Sequence, residues 1–87
     1  MDTKDLVNIG RVKDAILWLQ AHEEYQKFAG ELLIRVSITG GFIHIFMNWY
    51  DTRQLMDSSY PEADKEITNW EYIIGAMIDR MIKNRSF

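Results

Sequence analysis

The two histidines are the residues with the clearest potential for chemistry in this chain of 87 residues. His22 precedes Glu23 and Glu24, but consecutive helical residues point in different directions. Neither histidine has the His-x-x-x-His partner, cysteine neighbour or spaced carboxylate of a zinc or iron site. His44 is predicted to lie opposite Ser37 across two strands, yet no third group is placed to orient the ring for catalysis. The sequence therefore predicts no metal site, no cofactor site and no catalytic residue, and we expect a protein that is not an enzyme.

Paired carboxylates are also present, but their positions favour a structural role. Glu62 and Glu66 are four residues apart, and Ser59 with Glu62 has the spacing of a capping box around Pro61. This pattern predicts a helix of about 60–84, because acidic side chains stabilise a first helical turn. The apolar face of the predicted helix contains Ala63, Ile67, Trp70, Ile74, Met77, Ile78 and Met81.

Two apolar segments that meet at Gly40-Gly41 predict a β-hairpin over residues 31–50. Both glycines can adopt φ > 0 at the centre of a two-residue turn, and this turn determines the register of the strands. The apolar core face then pairs Leu32 with Trp49, Ile34 with Met47, Val36 with Ile45 and Ile38 with Ile43. The opposite face is mixed and pairs Leu33 with Asn48, Arg35 with Phe46, Ser37 with His44 and Thr39 with Phe42.

The predicted fold class is α+β, with a single domain over residues 1–87. Apolar residues at spacings of three and four predict a first helix of about 3–29, which Asp2 or Thr3 can cap. Residues 51–60 lack clear periodicity and are predicted to be a loop. The expected order is α-β-β-α, in which a two-stranded antiparallel hairpin packs against two amphipathic helices.

Composition limits the classes of function. The chain has no cysteine, which excludes disulfides and thiol chemistry and suits a reducing cytoplasm. Ten basic and thirteen acidic residues give a net charge of −3, which opposes long-range attraction to phosphate. The first residues lack a signal-peptide pattern, and no window approaches the roughly 20 apolar residues of a membrane span. We therefore expect a cytoplasmic protein with no membrane segment.

The surplus of apolar surface predicts a protein interface. Two helices can cover one face of a two-stranded sheet, which leaves the second face and the strand edges for association unless residues 51–60 fold back over that face. Trp18 and Tyr25 lie away from the main apolar stripe of the first helix, and Tyr72 lies on the polar side of the last helix. Tryptophan and tyrosine are enriched at interface hot spots. The predicted interface residues are Trp18, Tyr25, Leu33, Arg35, Phe42, His44, Phe46 and Tyr72.

These features favour a non-enzymatic protein-binding regulator or inhibitor that acts by occluding a surface. A symmetric homodimer is also expected, either burying the second face or completing the sheet through an edge. Size and composition are similar to those of small phage and mobile-element proteins that block host defence, including anti-CRISPR and anti-restriction proteins, although no motif supports this analogy. The alternative is a small nucleic-acid-binding regulator whose hairpin face contacts phosphates through Arg35, Arg53, Arg80 and Lys83.

Overall fold

A computed structural model describes residues 6–28 and 30–85 of the chain. These residues form three helices and a three-stranded antiparallel sheet, which confirms the α+β class. Within them, no helix has the length and apolar character needed to cross a membrane. In chain order the elements are α1 (Ile9–Ala21), α2 (Glu23–Gln26), β1 (Leu32–Thr39), β2 (Phe42–Trp49), β3 (Leu55–Pro61) and α3 (Trp70–Asn84).

The hairpin has the register that the sequence predicts. All eight expected pairs between β1 and β2 are present, from Leu32 with Trp49 to Thr39 with Phe42. The turn is formed by two glycines with positive φ, 60° at Gly40 and 80° at Gly41. The two-residue turn therefore determines which side chains of both strands face the helices.

Valine at either turn glycine should destabilise the protein by about 1–3 kcal/mol, because a β-branched residue is strained at positive φ. An added Cβ would meet no atom within 4 Å at Gly40 or Gly41, so the effect reports backbone conformation alone. Gly30→Val is the matched control, since Gly30 also has open space but lies outside the left-handed region. Urea unfolding measures the difference, and equal stability of all three variants would contradict the turn assignment.

The prediction of a loop over residues 51–60 is wrong, because Leu55–Pro61 forms β3 beside β2. Aspartate and serine are uncommon in strands, and their presence in β3 obscured its alternation. Met56, Ser58 and Tyr60 are half-buried, whereas the intervening residues are exposed. Since β3 extends the sheet sideways, the interpretation in which residues 51–60 cover the second face is also wrong.

The last helix is shorter than the predicted range of 60–84. It begins at Trp70, after Asn69, whose side chain accepts a hydrogen bond from the Tyr72 N–H at 3.4 Å. The predicted capping box of Ser59 and Glu62 is wrong, because Ser59 lies in β3 and Pro61 ends that strand. Ala63 and Ile67 precede the helix, whereas the later apolar positions are buried as predicted: Trp70, Ile74, Met77, Ile78 and Met81.

The first helix is also shorter than the predicted range of about 3–29. It covers Ile9–Ala21, and the chain is extended at His22, with φ −73° and ψ 133°, before α2 begins. The His22 ring accepts a hydrogen bond from the Glu24 N–H at 3.4 Å, which favours this interruption. The predicted caps, Asp2 and Thr3, lie outside the described residues.

The core lies between the sheet and the helices α1 and α3. On β2 the predicted core face is confirmed, since Ile43, Ile45, Met47 and Trp49 are all fully buried. On β1 only Leu32 is buried, because β1 lies at the edge of the sheet. The helices contribute Val12, Ala15, Leu19, Trp70, Ile74, Met77, Ile78 and Met81.

A buried carboxylate connects the end of β3 to the beginning of α1. Glu62 is 5% exposed, and its carboxylate accepts hydrogen bonds from the backbone N–H groups of Val7, Asn8 and Ile9. The Asn8 side chain makes no capping bond of its own. Glu62 therefore caps α1 from a distant part of the chain, where its negative charge is favourable at the helix N-terminus.

Asn8 completes this connection from the helix side. Its side chain is fully buried, and its amide donates to the backbone oxygens of Pro61, Glu62 and Asp64 at 3.2, 2.9 and 2.8 Å. Its Oδ1 accepts a hydrogen bond from Trp70 Nε1 at 3.3 Å. Asn8 thus holds the chain after β3 against both α1 and the start of α3.

Candidate functional site

The side of the sheet that faces away from the helices is the candidate site, and we call it the open face. Its side chains come from alternate residues of β1, β2 and β3, because successive residues of a strand point to opposite faces. The register aligns them in four rows across the sheet: Thr39–Phe42–Pro61, Ser37–His44–Ser59, Arg35–Phe46–Asp57 and Leu33–Asn48–Leu55.

The open face exposes large apolar side chains. Leu33, Phe42 and Leu55 are 40%, 46% and 57% exposed, and Phe46 is half-buried between its neighbours. A groove of about 480 Å³ beside Phe46 is lined by Arg35, Val36 and Ser37. Contiguous apolar groups with a polar surround are characteristic of protein-binding surfaces.

The row Arg35–Phe46–Asp57 of the open face carries one positive and one negative side chain. Arg35 and Asp57 lie on either side of Phe46, with their backbones about 10 Å apart at ordinary strand spacing. No ion pair joins the two side chains in the described part of the chain. Each can therefore contact an opposite charge on a binding partner, while Phe46 supplies the apolar contact between them.

His44 lies between two serines, but their arrangement does not form a catalytic triad. Ser37 and Ser59 flank it on neighbouring strands, and no hydrogen bond joins His44 to either hydroxyl among the described residues. The described ranges likewise contain no group of three histidine, cysteine or acidic side chains that could hold a metal ion. His44 therefore adds a polar group to the open face that can donate or accept a hydrogen bond.

The helices carry a second aromatic surface, which we call the aromatic helix patch. The Trp18 and His22 rings have centroids 5.2 Å apart, and those of His22 and Tyr25 are 6.0 Å apart. Trp18 is 56% exposed and Tyr72 is 72% exposed. Although Trp18 and Tyr25 belong to different helices, His22 bridges their rings.

The Tyr25 phenol has a raised pKa. Partial burial is the main cause, and a hydrogen bond to Asp79 together with the charges of Asp79 and Glu24 adds to it, so that the Tyr25 pKa rises to about 12. The phenol therefore stays protonated at neutral pH and can donate a hydrogen bond to Asp79. The Tyr25 hydroxyl also lies close to α3, since a Cβ built on Gly75 would be 3.7 Å from it.

The eight predicted interface residues fall on two separate surfaces. Leu33, Arg35, Phe42, His44 and Phe46 lie together on the open face. The other three form the aromatic helix patch on the helix side of the sheet, where His22 links Trp18 to Tyr25, and Tyr25 and Tyr72 line one groove.

The sequence prediction missed the contribution of β3. Leu55 and Asp57 complete two rows of the open face, next to Asn48 and Phe46. A ten-residue connection without structure is longer than most connections in small domains, and this length was the available signal of an additional strand.

Comparisons with protein-family models, with curated proteins and with solved structures return no match for this chain. The candidate site is therefore defined by the exposure, register and charge of its own residues.

Proposed function

We propose that this protein is a non-enzymatic regulator or inhibitor that binds a target protein through the open face and occludes part of the target's surface. The supporting observation is that β3 extends the sheet, so that within the described part of the chain the second face keeps large apolar side chains exposed. The exposed Leu33 and Leu55 lie diagonally next to the half-buried Phe46, and the exposed Phe42 lies two rows away on the same strand. An interface of this kind gains affinity from aromatic anchors and specificity from nearby polar groups.

The charges of the open face indicate which kind of target surface would be complementary to it. Arg35 and Asp57 flank Phe46 with opposite charges, so a complementary surface presents an apolar group between an acidic and a basic residue. Such a partner is a folded protein surface with mixed charge, rather than a polyanion. By analogy of size and composition, the proposed class includes phage or mobile-element proteins directed against host defence.

The alternative function, binding of nucleic acid, is disfavoured by the distribution of cations. Arg35 is the basic residue of the open face, and Asp57 places a negative charge in the same row. Arg80 and Lys83 belong to α3, on the other side of the sheet, and Arg53 lies between β2 and β3. A phosphate backbone needs several cations on one surface, and these four do not share one.

Glutamate at Phe42 should abolish capture of the target, since truncating an aromatic hot spot costs about 2 kcal/mol and a charge adds a desolvation cost. The experiment immobilises the wild-type protein and two variants, and compares the proteins each retains from a lysate of the native host. Tyr72→Glu is the matched control, because Tyr72 is an exposed aromatic residue on the aromatic helix patch.

We expect at least one protein to be retained by the wild type and by Tyr72→Glu and to be lost with Phe42→Glu. Circular dichroism checks that both variants are folded. Retention that is lost with Tyr72→Glu alone would assign the function to the aromatic helix patch. Tight binding of single-stranded nucleic acid that weakens steeply with salt would support the alternative function instead.

A further inference from the structure

Among residues 6–28 and 30–85, no strand pairs with the outer edge of β1, which leaves a long hydrogen-bonding edge. Strand β1 lies at the edge of the sheet and pairs with β2 over Leu32–Thr39 without a bulge or a proline. Its one charged residue is Arg35. At the opposite edge, β3 contains Asp57 and ends at Pro61, and both residue types discourage further strand pairing. The β1 edge is therefore the better template for an additional strand.

The alternation of hydrogen bonds shows which backbone groups of β1 point outward. In a two-residue hairpin the residues beside the turn, here Thr39 and Phe42, form backbone hydrogen bonds with each other. Along the two strands, every second cross-strand pair is hydrogen-bonded in the same way. The Tyr50 N–H donates to the Glu31 oxygen at 2.8 Å, which places the odd-numbered residues on the β2 side. The groups that point to the uncovered edge belong to Leu32, Ile34, Val36 and Ile38.

Grooves open on both sides of the sheet at the middle of this edge. Although the Val36 side chain points to the helix side, the strand at Val36 also borders the open-face groove beside Phe46. On the helix side, Val36 and Ile34 line a shallow groove of about 330 Å³ with residues of α1. One of these, Leu17, is 65% exposed. Both layers of the fold are therefore open to a partner at Val36.

We propose that a second copy of this chain occupies the edge, through an antiparallel pair of β1 strands with Val36 on the two-fold axis. The two sheets of three strands then form one continuous sheet of six. In an antiparallel pair of β1 strands, residues whose backbone groups point outward must lie opposite each other. The two-fold axis can therefore pass through Val36 or through another residue of β1, and each choice gives a different register. Among these positions, Val36 gives the most compatible partners.

The side chains of β1 complement themselves in this register. With Val36 facing its own copy, Ile34 lies opposite Ile38 and Arg35 lies opposite Ser37. An axis through Arg35 would place two guanidinium groups opposite each other, which is destabilising. An axis through Ser37 shortens the overlap, because Ile34 would then face Gly40 in the turn.

The helix layer contributes to the same interface. The axis is perpendicular to the sheet, so both α1 helices lie on one side of it and each Leu17 approaches the groove of the other copy. A stable dimer interface buries about 1,200 Å² or more in total, and contacts from the strand edge and α1 together suit that requirement better than a strand pair alone. The dimer leaves both open faces exposed on one side, so it could engage a target at two points.

Proline at Val36 should convert the dimer to a monomer. It removes an outward N–H that the isolated chain does not use, whereas a dimer needs it for pairing. Ser59→Pro is the matched control, because by the same alternation Ser59 points outward at the β3 edge. Sedimentation velocity at micromolar concentration should show a dimer for the wild type and for Ser59→Pro, and a monomer for Val36→Pro. A monomeric wild type, or a dimeric Val36→Pro, would overturn the proposal.

Cross-linking tests the register without depending on how Val36→Pro folds. The chain has no cysteine, so each single-cysteine variant has one reactive thiol. In the proposed dimer the two copies of residue 36 have Cα atoms about 5.5 Å apart, whereas those of residue 34 are about 14 Å apart, because they are also separated by four residues along the strand. A bis-maleimide too short for the longer span should cross-link Val36→Cys and leave Ile34→Cys monomeric on a denaturing gel. Equal cross-linking of the two variants would reject the register.

The dimer does not rest on the proposed target binding, and the two can fail separately. Phe42→Glu should abolish target capture and leave the sedimentation of the dimer unchanged, because Phe42 lies on the central strand. If Phe42→Glu instead yields a monomer, the second copy lies on the open face and the edge proposal is wrong.

Discussion

Alanine at Glu62 is expected to lower the free energy of unfolding by about 3 kcal/mol or more, because buried donors without a partner cost about 1–3 kcal/mol each. The carboxylate accepts hydrogen bonds from the N–H groups of Val7, Asn8 and Ile9, and it is 5% exposed. Its removal leaves these donors at the beginning of α1 without an acceptor. It also removes a negative charge from the N-terminus of the helix.

Chemical denaturation of Glu62→Ala and of a control, Glu66→Ala, measures this effect. Glu66 is an exposed glutamate four residues away, so its replacement should change stability by less than about 0.5 kcal/mol. Glu62→Gln retains one acceptor oxygen and should lose about half as much stability as Glu62→Ala. Amide hydrogen exchange should increase first at the N-terminus of α1. A Glu62→Ala variant as stable as Glu66→Ala would show that the carboxylate does not hold α1.

Alanine at Ile45 is expected to destabilise the protein by about 2–5 kcal/mol, as is usual for the removal of a large buried aliphatic side chain. Ile45 is fully buried on the central strand, between the partners Val36 and Ser58. Alanine leaves a cavity there, which the surrounding strands and helices cannot readily fill.

The neighbouring residue provides a matched control for the two faces of β2. Phe46 loses more atoms than Ile45 on replacement with alanine, but it is half-buried on the open face. Phe46→Ala should therefore cost less stability than Ile45→Ala and weaken target binding more. Urea unfolding at two protein concentrations separates monomer stability from association. A Phe46→Ala variant that is less stable than Ile45→Ala would show that the open face belongs to the core.

The hairpin could be predicted in detail from the sequence because its constraints are local. Gly40 and Gly41 permit the turn, and the alternation of apolar residues admits one register that buries a continuous face. The apolar positions of α3 from Trp70 onward are likewise predicted by helical periodicity. In each case the residues that interact are close in the sequence or are related by a short repeat.

The role of Glu62 could not be predicted because its partners are distant in the chain. Ser59, Pro61 and Glu62 have the local pattern of a helix start, but Glu62 binds the backbone of Asn8, 54 residues earlier. That contact forms only when β3 is paired with β2, and β3 itself has weak strand propensity. Tertiary pairing thus overrode a local helix signal.

The apolar positions along the chain already indicate more apolar surface than two helices and a hairpin can bury. Where that surface lies depends on how the helices and strands pack together. Because α1 and α3 pack on one side of the sheet, Leu33, Phe42 and Phe46 remain together on the open face, and Trp18 and Tyr72 are separated from them. Because β3 pairs with β2 and not with β1, no described strand pairs with the outer edge of β1. This edge is more apolar than the outer edge of β3. Both outcomes depend on which elements meet in space, and the spacing of residues along a chain does not specify such contacts.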